Sequence, residues 1–249
     1  MKLEQLAGLL LTARLEGDGN VSVSSLETDS RQVKPGALFI CLPGHTVDGH
    51  DFAAEAVERG AVAIVAERRL DVGVPQLIVP ESRLAMAVLA DAFYDHPSDK
   101  MKLIGVTGTN GKTTTTYLIE RILLDAGRKA GVIGTIEMRY AGLTVPVSGT
   151  TPEALELQKR LADMARAGTE YCAMEVSSHA LEQGRVKGCK FRTAIFTNLT
   201  QDHLDYHVTM ERYKEAKGLL FARLGNGYPA SAEERSYAVL NADDEASET

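Results

Sequence analysis

One stretch near the middle of the chain has the residue types and spacing needed to bind the phosphates of a nucleotide. An apolar run at 103–106 leads into a loop with Gly108 and Gly111, and Lys112 and Thr113 then open a helical pattern. Backbone N–H groups of such a loop, and those of the helix N-terminus, point at phosphate oxygens. We therefore expect Lys112 to neutralise the β- and γ-phosphates and the Thr113 hydroxyl to bind Mg²⁺.

The match to the common phosphate-loop pattern, Gly-x-x-x-x-Gly-Lys-[Ser/Thr], is incomplete because Val106 stands where that pattern has glycine. A tight strand-to-helix turn with a surface lysine is the alternative interpretation, although strand, loop and helix signals all agree with a nucleotide site. Gly127 can end the helix, and four apolar residues precede it at helical spacing: Leu118, Ile119, Ile122 and Leu123. The sequence predicts an ATP-binding loop that consists of Gly108, Thr109, Asn110, Gly111, Lys112, Thr113 and Thr114.

Three further polar groups follow apolar runs, and ligands bind at the ends of strands in open α/β sheets. Glu175 comes at the end of one run, where a carboxylate can hold Mg²⁺ directly or through water. Beyond it lie Gln183 and Arg185, and a guanidinium group is well suited to bind a carboxylate or a phosphate. Thr150 and Thr151 stand just before a helix pattern, although an ordinary helix N-cap would also explain them.

The third polar group is the segment Asp202–His207, which holds two acidic residues and two histidines. His203 and His207 are four positions apart, a spacing that could indicate zinc. The sequence offers no obvious third protein ligand, so zinc is the weaker interpretation of this segment.

Two polar loops flank an apolar run in the first part of the chain. The loop at 29–31 packs two charges and a hydroxyl ahead of the run, and the loop at 43–49 follows it. The second loop therefore lies at a strand end, where ligands bind in α/β sheets. Taken alone, the first loop is better explained by a solvated turn than by a ligand site.

The elements that must position these residues alternate between strand and helix patterns. A β-α-β-β-α run ends at a polar, proline-bearing break at residues 96–100, and further apolar runs follow at 130–133, 171–176, 194–199 and 237–240. Such alternation predicts mostly parallel sheets. We therefore predict an α/β fold, with a small N-terminal α/β domain at 1–97 and a mostly parallel P-loop-type α/β domain at 98–249.

Composition and charge are those of an ordinary globular protein. The 249 residues are 44% hydrophobic and 24% charged, with a formal net charge of −7, which argues against a general nucleic-acid binder. No run approaches the roughly 18 apolar residues of a membrane span. The leucines between Leu3 and Leu10 fit an amphipathic helix better than a signal peptide. Because Cys41, Cys172 and Cys189 lack paired spacing, we expect reduced thiols and a cytoplasmic protein without nucleic-acid or membrane partners.

Together these motifs resemble the Mur ligase family, the ATP-dependent amide-forming enzymes of peptidoglycan precursor synthesis. The resemblance covers nearly the whole chain and rests on Thr107–Thr114, Thr150–Glu153, Glu175–His179, Thr197–Thr200 and Asp202–His207, in the family's order. The family's phosphate loop also lacks the first glycine, which accounts for Val106. The loops around Ser30 and His45 and the Ser-Ser-His segment are most similar to the members that add the third residue of the stem peptide.

The resemblance implies an ATP-dependent ligase that adds the third amino acid, diaminopimelate or lysine, to UDP-N-acetylmuramoyl-L-alanyl-D-glutamate. In this family the substrate carboxylate attacks the γ-phosphate of ATP to give an acyl phosphate, and the incoming amine then displaces phosphate. Because two anions must meet, catalysis consists mainly of positioning and charge neutralisation. We expect a monomer.

The resemblance also implies roles for particular residues. Lys112, His203 and Lys217 would be catalytic, and Thr113 and Glu175 would hold Mg²⁺. His203 would bind a second Mg²⁺, supported by Lys217 as a carbamate formed with CO₂; without the motif, Lys217 would be taken for a solvated helix lysine. Contacts to the UDP-N-acetylmuramoyl-dipeptide would come from Ser30, His45, Thr46, Thr150, Thr151, Ser177, Gln183 and Arg185.

The family pattern further implies a C-terminal domain that supplies much of the amino-acid site and closes over ATP. On this basis residues 1–97 bind the UDP substrate, whereas 98–249 form an incomplete ATP-binding ligase domain that is inactive in isolation. Two other functions remain open. A folylpolyglutamate-synthetase-like ligase would not need a UDP-binding first domain, and a non-catalytic nucleotide-binding module would leave the Asp202–His207 segment without a role.

Overall fold

The chain divides into two compact units, Met1–Asp95 and His96–Thr249. The computed structural model describes residues 1–44, 47–147, 149–222, 224–225, 231 and 234–248. The division falls two residues before the predicted break between 97 and 98. Pro97 and Ser98 are buried, and the Ser98 hydroxyl donates to the Gly188 carbonyl oxygen at 3.3 Å, which ties these residues to the second unit.

The first unit contains a five-stranded sheet in the part of the chain that the structure describes. Its elements, in chain order, are α1 Leu3–Ala7, β1 Arg14–Glu16, β2 Ser25–Glu27, β3 Ala37–Ile40, α2 Ala53–Glu58, β4 Ala61–Ala66, β5 Gln76–Ile78 and α3 Ser82–Phe93, with 3₁₀ helices at Ser30–Gln32 and Gly49–Phe52. The strand order is β1-β5-β4-β3-β2. Only the β1–β5 pair is antiparallel among the described pairs.

The central strands of this sheet are buried on both faces, as expected for parallel strands covered by helices. Phe39 of β3 and Ile64 of β4 are at most 1% exposed and pack in one cluster with Ala53 and Ala56 of α2. The predicted amphipathic helix at the N-terminus is shorter than expected, because α1 ends before Gly8, a poor helix former. Leu9 is consequently 43% exposed.

The second unit contains a seven-stranded sheet among the described residues. Its elements are β6 Lys102–Thr107, α4 Lys112–Asp125, β7 Ala130–Ile133, β8 Met138–Tyr140, β9 Leu143–Val145, α5 Ala154–Arg166, β10 Tyr171–Glu175, α6 Ser178–Glu182, β11 Phe191–Phe196, α7 Leu204–His207, α8 Met210–Gly218 and β12 Tyr237–Leu240, with 3₁₀ helices at Pro97–Lys100 and Glu245–Glu248. The strand order is β12-β11-β6-β10-β7-β8-β9.

The first five strands in that order are parallel, which confirms the predicted α/β class. The carboxyl ends of β6, β7, β10 and β11 therefore lie along one edge of the sheet, where each is followed by a polar segment. The antiparallel hairpin β8–β9 extends the sheet beyond β7 and was not predicted from the sequence. β11 begins and ends three residues earlier than its predicted range of 194–199, which leaves residues 197–200 in a loop.

Helix α4 is confirmed, but its inner face is not the apolar one that the helical spacing indicated. Leu118 and Ile122 are 58% and 67% exposed, whereas Thr116 and Glu120 are buried. The inner face is polar because Glu120 forms an ion pair with Arg139 of the hairpin. Among the described residues, no helix is long and apolar enough to cross a membrane.

Candidate functional site

The glycine loop between β6 and α4 has backbone angles that only glycine adopts easily. Gly108 has φ +145° and Gly111, at the N-cap of α4, has φ +84°. A Cβ atom on Gly108 would lie 1.9 Å from the Thr197 Oγ1 atom, so this position also lacks room for a side chain. The loop thus runs in close contact with the segment that follows β11, with the N-terminus of α4 at its end. Thr114 is exposed in the first turn of that helix.

Several hydrogen bonds join the segment after β11 to the glycine loop and brace it. The Asn110 N–H donates to Asn198 Oδ1 at 3.0 Å, and the Thr109 N–H donates to the Asn198 carbonyl oxygen at 2.8 Å. Thr197 Oγ1 donates to the Asn110 carbonyl oxygen at 2.6 Å, and the Thr200 N–H donates to Thr109 Oγ1 at 3.0 Å. The sequence segment 197–200 therefore holds the loop in shape.

Two lysines converge on one carbonyl oxygen of the loop. Lys112 Nζ donates to the Gly108 oxygen at 2.8 Å and to the Thr109 oxygen at 2.9 Å, while Lys217 Nζ donates to the Gly108 oxygen at 2.9 Å. Burial lowers the pKa of Lys112, partly offset by the carboxylates of Glu175 and Asp202. Burial and the nearby charge of Lys112 lower the pKa of Lys217 to about 7. The Lys217 amine is therefore partly neutral near pH 7.

Tyr213 connects Lys217 with the loop and with His203. Lys217 Nζ lies 4.3 Å from the centroid of the Tyr213 ring, and the Tyr213 hydroxyl is 3.2 Å from Thr109 Oγ1. The His203 ring packs against the same tyrosine at a centroid distance of 6.0 Å. Its Nε2 atom is 3.5 Å from an Asp202 carboxylate oxygen. His203 and Lys217 thus contact the same tyrosine, which no sequence pattern had singled out.

Glu175 is a buried carboxylate at the end of β10, and it faces the first turn of α4. It is 1% exposed, and Thr113 Oγ1 donates to its Oε1 atom at 2.9 Å. Thr135, in the loop after β7, donates to the same carboxylate with its N–H at 2.8 Å and its hydroxyl at 3.1 Å. Hydroxyl and carboxylate oxygens are the ligands that Mg²⁺ prefers, so the predicted pair Thr113 and Glu175 fits this ion.

The predicted pair Thr150 and Thr151 lies beside the same carboxylate residue. Thr151 Oγ1 donates to the Glu175 carbonyl oxygen at 2.9 Å and accepts from the Ser177 N–H at 3.1 Å. The hydroxyls of Thr150 and Thr135 are 3.1 Å apart. The Ser177 hydroxyl caps α6 by accepting from the Ala180 N–H at 3.2 Å.

Arg185 reaches back to this threonine loop. Its guanidinium donates to the Thr151 carbonyl oxygen at 3.0 Å and to Gln183 Oε1 at 2.7 and 2.9 Å. A Glu153 carboxylate oxygen lies 3.1 Å from its Nε atom. Five of the predicted substrate residues are therefore close together in the second unit: Thr150, Thr151, Ser177, Gln183 and Arg185.

The remaining predicted substrate residues belong to the first unit. Ser30 is 6% exposed, and its hydroxyl donates to Glu55 Oε2 at 3.0 Å. It lies in a 3₁₀ helix capped by Asp29, whose pKa is lowered mainly by the hydrogen bond from the Arg31 guanidinium. His45 and Thr46 fall outside the described residues, so their predicted contacts stay predictions.

The two histidines of the 202–207 segment have different surroundings. His207 is buried, with Nε2 2.9 Å from Ser178 Oγ and Nδ1 3.1 Å from a Glu182 carboxylate oxygen, whereas His203 is exposed. Both ring nitrogens of His207 thus have partners in α6. Within the described part of the chain, no group of three or more His, Cys, Asp or Glu side chains could hold a metal ion. A site built on Thr113 and Glu175 would therefore complete Mg²⁺ coordination with phosphate and water oxygens, as Mg²⁺ commonly does.

Sequence reasoning missed the role of Thr135 and the brace at 197–200. One signal for Thr135 was present, because it follows the apolar run at 130–133 and so stands at a strand end. No signal pointed to Tyr213, which lies within a helix and is 1% exposed.

Comparisons with protein families match both units. Residues 106–249 match the family described as Mur ligase middle domain, and residues 22–94 match the family described as Mur ligase family, catalytic domain. The first match alone covers more than half of the chain.

Two curated relatives and one solved structure that the chain resembles are ligases with the same name. UDP-N-acetylmuramoyl-L-alanyl-D-glutamate--2,6-diaminopimelate ligase of Geobacillus thermodenitrificans is 57% identical over 250 residues, covering 100% of this chain and 50% of that protein. The ligase of the same name from Bacillus cereus is 53% identical over 248 residues, with the same coverage of 100% and 50%. A solved structure of a ligase of that name has a TM-score of 0.80 at 30% identity, covering 100% of this chain and 48% of that one. The chain spans about half the length of the curated relatives it matches.

Proposed function

Because the chain belongs to the Mur ligase family, we propose that it carries the ATP site and the UDP-substrate site of a ligase that extends the peptide of UDP-N-acetylmuramoyl-L-alanyl-D-glutamate. The proposal concerns the activity of a protein of the relatives' length, since this chain spans about half of it. The names of the relatives favour 2,6-diaminopimelate over lysine as the added amino acid. The protein would act as a monomer in the cytoplasm, the compartment that supplies ATP.

The observation that carries the proposal is the position of Glu175 between two loops. Its carboxylate accepts from Thr113 on the phosphate-loop helix, and its carbonyl oxygen accepts from Thr151 on the predicted substrate loop. A nucleotide on the first loop and an acidic substrate on the second would therefore meet at this residue. A ligase needs its nucleotide and its acidic substrate side by side, because the substrate carboxylate must reach the γ-phosphate.

The reaction consists of two displacements. An oxygen of the substrate carboxylate attacks the γ-phosphorus of ATP, the bond to the β–γ bridging oxygen breaks, and ADP leaves. The amine nitrogen of the incoming amino acid then attacks the acyl carbon, phosphate leaves with its oxygen, and the nitrogen loses a proton. Both steps bring negative charges together, so neutralisation is the main task of the protein.

The chain supplies that neutralisation through a few groups. Lys112 would exchange its loop carbonyl partners for phosphate oxygens, and Arg185 would hold a carboxylate of the dipeptide. Thr113 and Glu175 would hold Mg²⁺, which would supply positive charge to offset that of the phosphates. Lys217, as a carbamate, would be an anion near His203 and would support a second Mg²⁺. Its lowered pKa of about 7 favours the neutral amine with which CO₂ reacts.

The test uses two preparations. The chain itself would be titrated calorimetrically with UDP-N-acetylmuramoyl-L-alanyl-D-glutamate, with UDP and with a folate; we expect binding of the first two and not of the third. A polypeptide that contains this chain and extends to the length of its relatives would be assayed for phosphate release with ATP, the dipeptide substrate and a panel of amino acids. Folate binding without UDP binding would favour a folylpolyglutamate-type ligase instead, and nucleotide binding without any turnover would favour a non-catalytic module.

A further inference from the structure

Thr135 contacts both oxygens of the Glu175 carboxylate. Its backbone N–H donates to Oε1 at 2.8 Å, and its hydroxyl lies 3.1 Å from Oε2. No other described residue outside α4 donates a side-chain hydrogen bond to this carboxylate. Thr135, in the loop after β7, thus adds two hydrogen bonds to the one that Thr113 of α4 donates to this carboxylate.

Three described hydrogen bonds are donated to the Glu175 carboxylate. An ionised carboxylate has about four acceptor positions, two on each oxygen. Oε1 accepts from the Thr113 hydroxyl and from the Thr135 N–H, while Oε2 accepts from the Thr135 hydroxyl. The remaining position is on Oε2, so this is the oxygen that can reach a metal ion or a metal-bound water.

The backbone of the loop that carries Thr135 packs directly against the Glu175 carboxylate. A Cβ atom on Gly134 would lie 2.4 Å from Glu175 Oε1, so a side chain there would push the carboxylate away. The hairpin that follows the loop is tied to α4, because Arg139 pairs with the buried Glu120. The loop is therefore anchored on both sides, by β7 before it and by the hairpin after it.

We propose that Thr135 is a positioning residue that turns Glu175 Oε2 toward the Mg²⁺ ion of the bound nucleotide. The proposal rests on the proposed ATP-dependent function and adds a residue to its metal site. Partners that orient a metal ligand in this way contribute to metal affinity without touching the metal. The Thr135 hydroxyl would lose its hold on Oε2 in a Thr135→Val variant, whereas Thr135→Ser would keep it.

A competing role for Thr135 is purely structural, because its hydroxyl also lies 3.1 Å from Thr150 Oγ1. Since Thr135 has one hydroxyl proton, donation to Glu175 requires Thr150 to act as the donor in that second contact. A structural role would change the stability of the loop but not the effect of Mg²⁺ on nucleotide binding. Thr135 is exposed, so neither substitution should prevent folding.

The experiment uses a polypeptide that contains this chain and extends to the length of its relatives, and it measures the affinity for a non-hydrolysable ATP analogue, adenylyl imidodiphosphate, by calorimetry in Mg²⁺ and in EDTA. The readout is the ratio of the two dissociation constants, which needs no turnover. For Thr135→Val we expect this ratio to fall by roughly tenfold relative to the wild type, with the affinity in EDTA unchanged. Thr135→Ser should keep a ratio near that of the wild type. Thr144→Val, the same exchange at an exposed position of β9, serves as the matched control and should also keep it.

Two results would overturn the proposal, and they distinguish a failure of the Thr135 role from a failure of the proposed function. If the wild type shows a Mg²⁺ effect and Thr135→Val shows the same ratio, Thr135 has no positioning role while the proposed function stands. If the wild type binds the analogue neither with nor without Mg²⁺, the ATP site itself is refuted, and the role of Thr135 with it. A drop in thermal stability of Thr135→Val with an unchanged ratio would assign Thr135 the structural role only.

Discussion

Lys112 and Lys217 donate hydrogen bonds to the same carbonyl oxygen, so the two amino groups lie close to each other. Both Nζ atoms lie within 2.9 Å of the Gly108 carbonyl oxygen, and Lys217 is 3% exposed. Two ammonium groups so close to each other repel, and burial adds a penalty for charge. The neutral amine is the form of Lys217 that this arrangement favours, and it is also the form whose nitrogen can attack the carbon of CO₂.

The proposed carbamate on Lys217 predicts a specific chemical rescue. In a polypeptide of the relatives' length, Lys217→Ala should cripple ligation, because the anion beside His203 is lost. Formate or acetate should partly restore turnover, since a small carboxylate can enter the space left by the lysine. Lys217→Arg should not be rescued, because a fixed cation fills that space. Near-normal turnover of Lys217→Ala in CO₂-depleted buffer would contradict the carbamate assignment.

The lowered pKa of Lys217 predicts how its reaction with CO₂ depends on pH. A lysine whose pKa is about 7 is mostly neutral above that pH and mostly protonated below it. At constant dissolved ¹³CO₂, the carbamate signal in ¹³C NMR should therefore decrease as the pH falls from about 8 to about 6, whereas an ordinary lysine with a pKa near 10.4 would form little adduct over this range. Lys217→Met is the control and should lack the signal. A signal in the wild type that does not change over this range would contradict the lowered pKa.

Among the elements, the glycine loop is shaped as much by the segment after β11 as by its own sequence. The early end of β11 at Phe196 frees residues 197–200 to bond with Thr109 and Asn110. The two segments lie at adjacent strand ends because β11 pairs directly with β6. The phosphate loop is thus preorganised by a neighbouring strand.

This close approach predicts unequal effects of two similar substitutions. Gly111→Ala meets no atom closer than 3.9 Å and should cost roughly 1–2 kcal/mol, the strain of a left-handed backbone. Gly108→Ala adds a clash at 1.9 Å with Thr197 Oγ1 and at 3.0 Å with the Asn198 backbone, so it should displace the brace. Thermal denaturation should show the larger loss of stability for Gly108→Ala, together with a larger loss of ATP-analogue affinity. Equal losses for the two variants would show that the brace does not restrict Gly108.

For the whole molecule, the division into two units separates the predicted binding residues. Ser30 lies in Met1–Asp95, and the phosphate loop lies in His96–Thr249. Each unit has its own sheet and its own buried cluster, the first around Phe39 and the second around Leu103. Substitutions in the phosphate loop should therefore leave the first unit folded.

The separation predicts that nucleotide binding and UDP binding can be lost independently. Lys112→Ala should abolish ATP-dependent turnover in a polypeptide of the relatives' length, because the cation that stabilises the moving phosphoryl charge is gone. The affinity for UDP-N-acetylmuramoyl-dipeptide should stay within a few-fold of the wild type by calorimetry. Comparable loss of both properties would instead indicate misfolding or a different role for Lys112.

Much of the architecture follows from local patterns in the sequence. The alternation of apolar runs with helical spacing predicted the α/β class, and glycines at 108 and 111 with Lys112 predicted the phosphate loop between β6 and α4. These features are local, because propensity and periodicity act over a few residues. The inner face of α4 was the exception, since its burial depends on Arg139 of a hairpin that the sequence did not reveal.

The tertiary structure alone decided which of these side chains meet. Lys217 contacts Gly108 across 109 positions of the chain, and Thr135 contacts Glu175 across 40. Such contacts depend on the strand order, which brings the ends of β7, β10, β6 and β11 to one edge of the sheet. A single sequence shows where strands lie but not which strands are neighbours, because pairing is set by long-range packing. The brace at 197–200 and the positioning of Glu175 by Thr135 could therefore be recognised only once the strands were placed side by side.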